Sequence, residues 1–158
     1  GDTGPEMRVQ ALYHDRFIGV ARDGHPLFDG PITPQRYVAF GHVVTSRRGS
    51  AMGPVDVALG ELGLKREVKV VVPGFPAALS IARASDLLAL IPLSFAYGPT
   101  TTRAGIQFFE LPVDTPGISI SQLWHPRLDA DPVHRWLRAF VRETCRIDAS
   151  DAPARDVF

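Results

Sequence analysis

The residues best suited to hold a ligand are Pro73, Gly74, Phe75 and Pro76. They stand between a β-branched run, Val68 to Val72, and a stretch of helix formers, Ala77 to Ala84. The run reads as a buried strand, Pro73-Gly74 ends it, and Pro76 suits the first turn of a helix. A strand end that opens into a helix N-terminus presents free backbone N–H groups to an anion. Phe75, Ala77 and Ala78 can supply those groups, Pro76 cannot, and the Phe75 ring offers an apolar wall. The chemistry is capture of a small acid rather than its transformation. The competing reading is an ordinary strand-to-helix turn with Phe75 in the core.

Thr45 and Ser46 close a second short strand, His42 to Ser46, and bring hydroxyls to the same kind of strand end. Arg47 and Arg48 follow; they can pair with an anion, although loop arginines are more often solvated. His42 can hydrogen-bond a phenol or an acid, against the alternative of a satisfied structural histidine. His25, just before Pro26, reads as a turn or capping residue. Signs of catalysis are missing, with no Gly-x-Ser-x-Gly elbow and no phosphate loop. Cys145 falls late in an amphipathic stretch, where a half-buried inert thiol is the default. The five histidines lack metal-ligand spacing, so neither a metal nor a cofactor is expected.

These residues need elements to place them. Strand, helix and a second apolar run, Leu87 to Ile91 before Pro92, make a βαβ unit whose two strands are expected to be parallel neighbours. Upstream, Met7 to Tyr13 alternates as a half-buried strand, and Arg16 to Arg22 is a second strand ended by Asp23-Gly24. Thr33-Pro34 caps a short helix to Ala39. Pro54 to Leu62 is an amphipathic helix with Val55, Ala58, Leu59 and Leu62 on one face and Gly63 as its C-cap. Downstream come a helical turn at Leu93 to Ala96 and strands at Ile106 to Leu111 and Ile118 to Trp124. From Asp131-Pro132 a helix runs to Arg146 with Val133, Trp136, Leu137, Phe140, Val141 and Thr144 on one stripe, expected to be core. Gly1 to Pro5 and Asp148 to Phe158 read as loose ends.

Composition narrows the function. The 158 residues suffice for a real core, and 17 basic residues cancel 17 acidic ones, which gives no ground for nucleic-acid binding by this chain. One cysteine excludes an internal disulfide framework and suits a reducing cytoplasm. No apolar run reaches membrane-spanning length and no secretory signal pattern opens the chain.

Four segments in order, LYHDRFIGVARDGHPL, HVVTSRRG, PVDVALGELGLKREVKVVVPGFPAALSIARASDLLALIP and LWHPRLDADPVHRWLRAFV, resemble the effector-binding region of LysR-type transcriptional regulators. The branch they resemble includes nodulation and aromatic-acid-responsive regulators. The resemblance implies a type 2 periplasmic-binding-protein-like α/β fold of two lobes, with Phe17 to Ala21 and Ile118 to Trp124 as crossing strands. Residues 22–117 would be a complete second lobe. Residues 1–21 and 118–146 would be parts of the first, and 147–158 a flexible tail. Family members also carry an N-terminal helix-turn-helix, a linker helix and the opening strands of the first lobe. No such segments are found here, so the chain is expected to be N-terminally truncated, with DNA contacted only through the absent domain. The resemblance further implies a small-molecule effector in the cleft between the lobes, against Thr45, Ser46 and the Pro73 to Pro76 turn. Gly74 stands where relatives place a polar side chain. Self-association through the incomplete lobe is expected from unmet strand edges and apolar surface. A stand-alone solute-binding protein of the same fold and an enzyme on an α/β scaffold are the rival functions.

Overall fold

The computed structural model describes residues 6–150, with side chains as far as Cys145. Of the expected loose ends at 1–5 and 148–158, residues 1–5 and 151–158 lie outside the described residues, and 148–150 are helical. The chain divides into two compact units, one of residues 16–116 and one of residues 6–15 with 117–150.

In chain order the strands and helices are β1 (Arg8–Asp15), β2 (Phe17–Arg22), α1 (Pro34–Val38), β3 (Gly41–Thr45), α2 (Pro54–Glu61), β4 (Glu67–Val72), α3 (Phe75–Ala84), β5 (Ala89–Pro92), α4 (Leu93–Ala96), β6 (Ile106–Phe109), β7 (Ile118–Trp124) and α5 (Pro132–Ser150). Helix starts follow local chemistry. Thr33 Oγ1 accepts from the Arg36 N–H at 3.2 Å to cap α1, and His25 Nδ1 accepts from the Leu27 N–H at 3.0 Å to cap a 3-10 turn at Pro26–Asp29. Both caps are those the sequence predicts.

Within 16–116, β2 lies between β5 and β6, antiparallel to each. Its Ile18, Val20 and Ala21 are fully buried. Hydrogen-bonded on both edges, β2 is the central strand of a sheet within this unit, while β7 pairs with β1. Side chains alternate across β2. Ile18 and Val20 join Ala78, Leu79 and Ala82 of α3 in one cluster. Ala21 joins Tyr37, Val55, Leu59 and Phe109 in another. Gly19 has no room for a side chain, since a Cβ there would sit 2.2 Å from the Phe109 ring.

β3 and β4 pair in parallel. Two backbone bonds then tie β3 to the start of β5, Val43 N–H to Leu88 O and Leu88 N–H to Gly41 O, each 2.9 Å. The expected neighbours β4 and β5 are therefore separated by β3. Gly41 permits this insertion, because a Cβ would meet Leu87 at 2.7 Å and Lys69 at 3.0 Å. With β3 on one side only, β4 is less buried than the valine run suggests, and Glu67, Lys69 and Val71 face outward. On α2, Val55 and Leu59 are buried as expected but Leu62 is exposed, its place taken by Leu64.

In the other unit β1 and β7 pair antiparallel from Arg8 opposite Trp124 to Asp15 opposite Ile118. α5 packs on β1, and it continues past the Arg146 boundary to Ser150. Its predicted core stripe is not core: Val133, Trp136, Leu137 and Phe140 are all exposed, Trp136 by 64%. The less exposed positions are His134, Arg138, Val141 and Cys145.

Candidate functional site

β3 and β4 end side by side. Thr45 stands opposite Val72, and the Ser46 N–H donates to Val72 O at 2.8 Å. Two parallel strands thus deliver their carboxyl ends to one edge of the sheet, the place where open α/β sheets leave a crevice. A pocket of about 140 Å³ opens there. Its polar lining includes Thr45, Ser46 and Arg66, and its rings are Phe17 and Phe75. The two ring centroids are 6.4 Å apart, and Phe75 is braced from behind by Phe95 at 5.8 Å.

Of the residues singled out from sequence, Thr45, Ser46 and Phe75 line this pocket, while Pro73, Gly74, Pro76 and His42 do not. Pro73 and Gly74 form the turn that swings Phe75 to the first position of α3. One of the three proposed donors is already engaged, the Ala78 N–H donating to Gly74 O at 3.3 Å as an ordinary helix bond. Arg47 and Arg48 are exposed in the loop after β3.

His42 is fully buried and edge-on to Tyr37, with centroids 4.5 Å apart. Its Nε2 lies 3.1 Å from Tyr37 O, so Nε2 carries the proton and Nδ1 does not. Burial, reinforced by the nearby Arg66 charge, lowers the His42 pKa to about 4. It is a neutral, buried histidine outside the pocket lining.

Arg66 escaped the sequence reading. It looked like one of the charges flanking β4, yet its side chain is only 2% exposed. Nε and Nη2 donate to Oδ1 and Oδ2 of Asp56, each at 2.8 Å, a two-pronged pairing that suits the planar guanidinium. Asp56 also accepts from the Gly53 N–H at 2.7 Å, which fixes the start of α2. Burial opposes both charges. The mutual hydrogen bonds prevail, holding the Asp56 carboxyl below its ordinary pKa and Arg66 above its own. The Tyr37 hydroxyl lies near this guanidinium, and burial pushes its pKa up to about 12. The signal that could have found Arg66 is parity. Val68, Val70 and Val72 point inward, and Arg66 continues the same period of two.

Among the described residues, no cluster of His, Cys, Asp and Glu could hold a metal ion, and no helix is long and apolar enough to cross a membrane. The arrangement can shelter a small molecule with an apolar body and a polar end.

Known proteins agree on the architecture. The regulatory domain of MexT, a transcriptional activator in Pseudomonas aeruginosa, superposes with a TM-score of 0.76 at 25% identity, over 90% of this chain and 70% of that one. The transcriptional activator NahR of Pseudomonas putida is 31% identical over 130 residues, covering 82% of this chain and 43% of NahR. The activator NagR of a Ralstonia species is 31% identical over 149 residues, covering 88% of this chain and 47% of NagR. The chain thus spans less than half the length of these two curated relatives. The fold is the periplasmic-binding-protein-like α/β fold of LysR-type effector-binding domains. The LysR substrate binding domain family matches residues 2–146, nearly the whole described chain, and this chain belongs to it.

Proposed function

We propose that the chain is the effector-sensing part of a LysR-type transcriptional regulator, and that the effector is a small aromatic or organic acid bound in the pocket at the ends of β3 and β4. The observation that carries this reading is the make-up of the pocket: two phenylalanine rings for an apolar body, with hydroxyls and a buried arginine for a polar group. The NahR and NagR relatives, both named as transcriptional activators, support a regulatory role over a catalytic one. In this reading the chain performs no chemistry and works in the cytoplasm. Its effector biases a conformational equilibrium in the larger regulator, which meets DNA through a helix-turn-helix domain. The exposed Trp136, Leu137 and Phe140 of α5 form an apolar surface suited to self-association.

A thermal-shift screen of aromatic and aliphatic acids on the 158-residue chain tests the proposal. A stabilising acid should lose about tenfold or more in affinity when Phe75→Ala removes one wall. Identical titrations for both proteins would remove this pocket from consideration.

A further inference from the structure

The loop from β3 to α2 is tied down at its two ends. The Ser46 N–H donates to Val72 O at 2.8 Å, and the Gly53 N–H donates to Asp56 Oδ2 at 2.7 Å. Across residues 47–52, between those points, the side-chain hydrogen bonds are local. Ser50 Oγ donates to Met52 O at 3.2 Å and accepts from the Met52 N–H at 3.3 Å. Arg47, Arg48, Gly49 and Ser50 are exposed. A segment with so few ties to the rest of the fold opens and closes at little cost. Gly49 sits at φ +73°, with nothing within 4 Å of the place a Cβ would take, so the chain can swing there without collision.

The same loop forms part of the pocket. Ser50 and Met52 line it together with Phe17 and Phe75. Met52 is nevertheless 74% exposed, more than any other large apolar side chain of the 16–116 unit. An apolar side chain that borders a pocket and stays in water gains by folding inward once something apolar is there to meet it.

We propose that residues 47–52 are a lid, and that Met52 is its latch, closing on the apolar body of a molecule held against Phe17 and Phe75. The proposal rests on the reading of the pocket as the effector site and adds how that site is covered. Methionine suits the task, because its unbranched thioether adapts to the shape it meets and makes favourable contacts with aromatic rings. An occupied pocket thus favours the closed loop, and an empty one offers Met52 no partner.

Arg47 and Arg48 make the lid a target for trypsin. Arg103, exposed in another loop of the same unit and away from the pocket lining, is the internal reference. The 158-residue chain is digested with and without benzoate, the cuts are followed by mass spectrometry, and benzoate binding is measured separately by titration calorimetry. Saturating benzoate should slow cutting after Arg47 and Arg48 about fivefold or more, and cutting after Arg103 less than about twofold. Met52→Ser should weaken benzoate by about threefold to tenfold and remove the local protection, and Met52→Leu should restore both. Benzoate that binds but slows both loops equally, or a Met52→Ser chain that behaves as the parent does, overturns the lid and leaves the pocket reading standing. Failure of benzoate to bind at millimolar concentration overturns the pocket reading, and the lid with it.

Discussion

Helix α3 and helix α5 are both amphipathic, and they meet different fates. α3 buries Ala78, Leu79 and Ala82 in a cluster with Ile18 and Val20 of β2 and Ile91 of β5. α5 carries the larger apolar side chains, and it leaves them out: Trp136 and Phe140 stack on one another, centroids 5.5 Å apart, while both stay more than half exposed. The face of α5 turned toward its own unit is held by polar contacts instead. Arg138 donates to Leu128 O and Asp129 O, each at 3.1 Å, and its guanidinium stands over the Trp124 ring at 4.4 Å. An apolar stripe says which face of a helix gains from burial. It does not say that the chain in hand supplies the cover.

Three changes would break or sharpen that contrast. The largest effect is expected at Arg66. Arg66→Leu leaves the partly exposed Asp56 carboxylate without its cation and should cost about 3 kcal/mol, the low end for a broken buried pair, read from urea unfolding. A loss under about 1 kcal/mol would mean that the pair is solvated and that the 16–116 unit is looser than its burial implies.

The next effect is a pH dependence from the same unit. The folded His42 pKa of about 4 lies below the ordinary 6.5. Below pH 6.5 the unfolded chain therefore binds a proton that the folded chain refuses. Stability from this group is fully present above pH 6.5 and is lost as pH falls toward 4, by up to roughly 3 kcal/mol. Asp56, whose carboxyl is held low, adds a loss in the same direction at lower pH, where its carboxylate takes up a proton. His42→Gln should flatten the curve between pH 6.5 and 4 and leave the lower limb in place. A variant whose curve overlays the parent's would show that His42 is protonated in the fold.

The smallest effect on stability should come from the most conspicuous residue. Trp136→Ala is expected to change unfolding by no more than about 0.5 kcal/mol, as at other exposed sites, while lowering the apparent mass seen by light scattering at high concentration. A cost of several kcal/mol in a chain that remains monomeric would show that the stripe is covered after all, and the contrast between α3 and α5 would fall.

Much of this was legible where local rules act alone. Thr33-Pro34 and His25-Pro26 announced their caps, Gly63 ended α2 at φ +68°, and the strand-to-helix turn before Phe75 stands where proline and glycine put it. What escaped depended on the rest of the fold. β3 comes between β4 and β5 because backbone at Gly41 can approach both neighbours closely, a fact of three strands that no single window contains. That Phe17–Arg22 lies between β5 and β6 depends on two strands far along the chain, which no window around Phe17 contains. Arg66 was hidden by its company, since Lys65, Arg66 and Glu67 read together as a charged flank although alternation separates the middle one from the others. Thr45, Ser46 and Phe75, picked from the sequence, line one pocket. Arg66, which lines it too, was not picked, because its burial depends on the Asp56 partner ten residues away on another element.

The most direct test of the central claim is to map where a small acid binds, by nitrogen–proton correlation spectra of the isotope-labelled 158-residue chain during titration with benzoate. The account predicts saturable shifts at the backbone amides of Thr45, Ser46 and Phe75 and at the Arg66 Nε signal, with β1, β7 and α5 undisturbed. Shifts that gather on α5 or the β1–β7 pair, or a spectrum unmoved at millimolar benzoate, would contradict it.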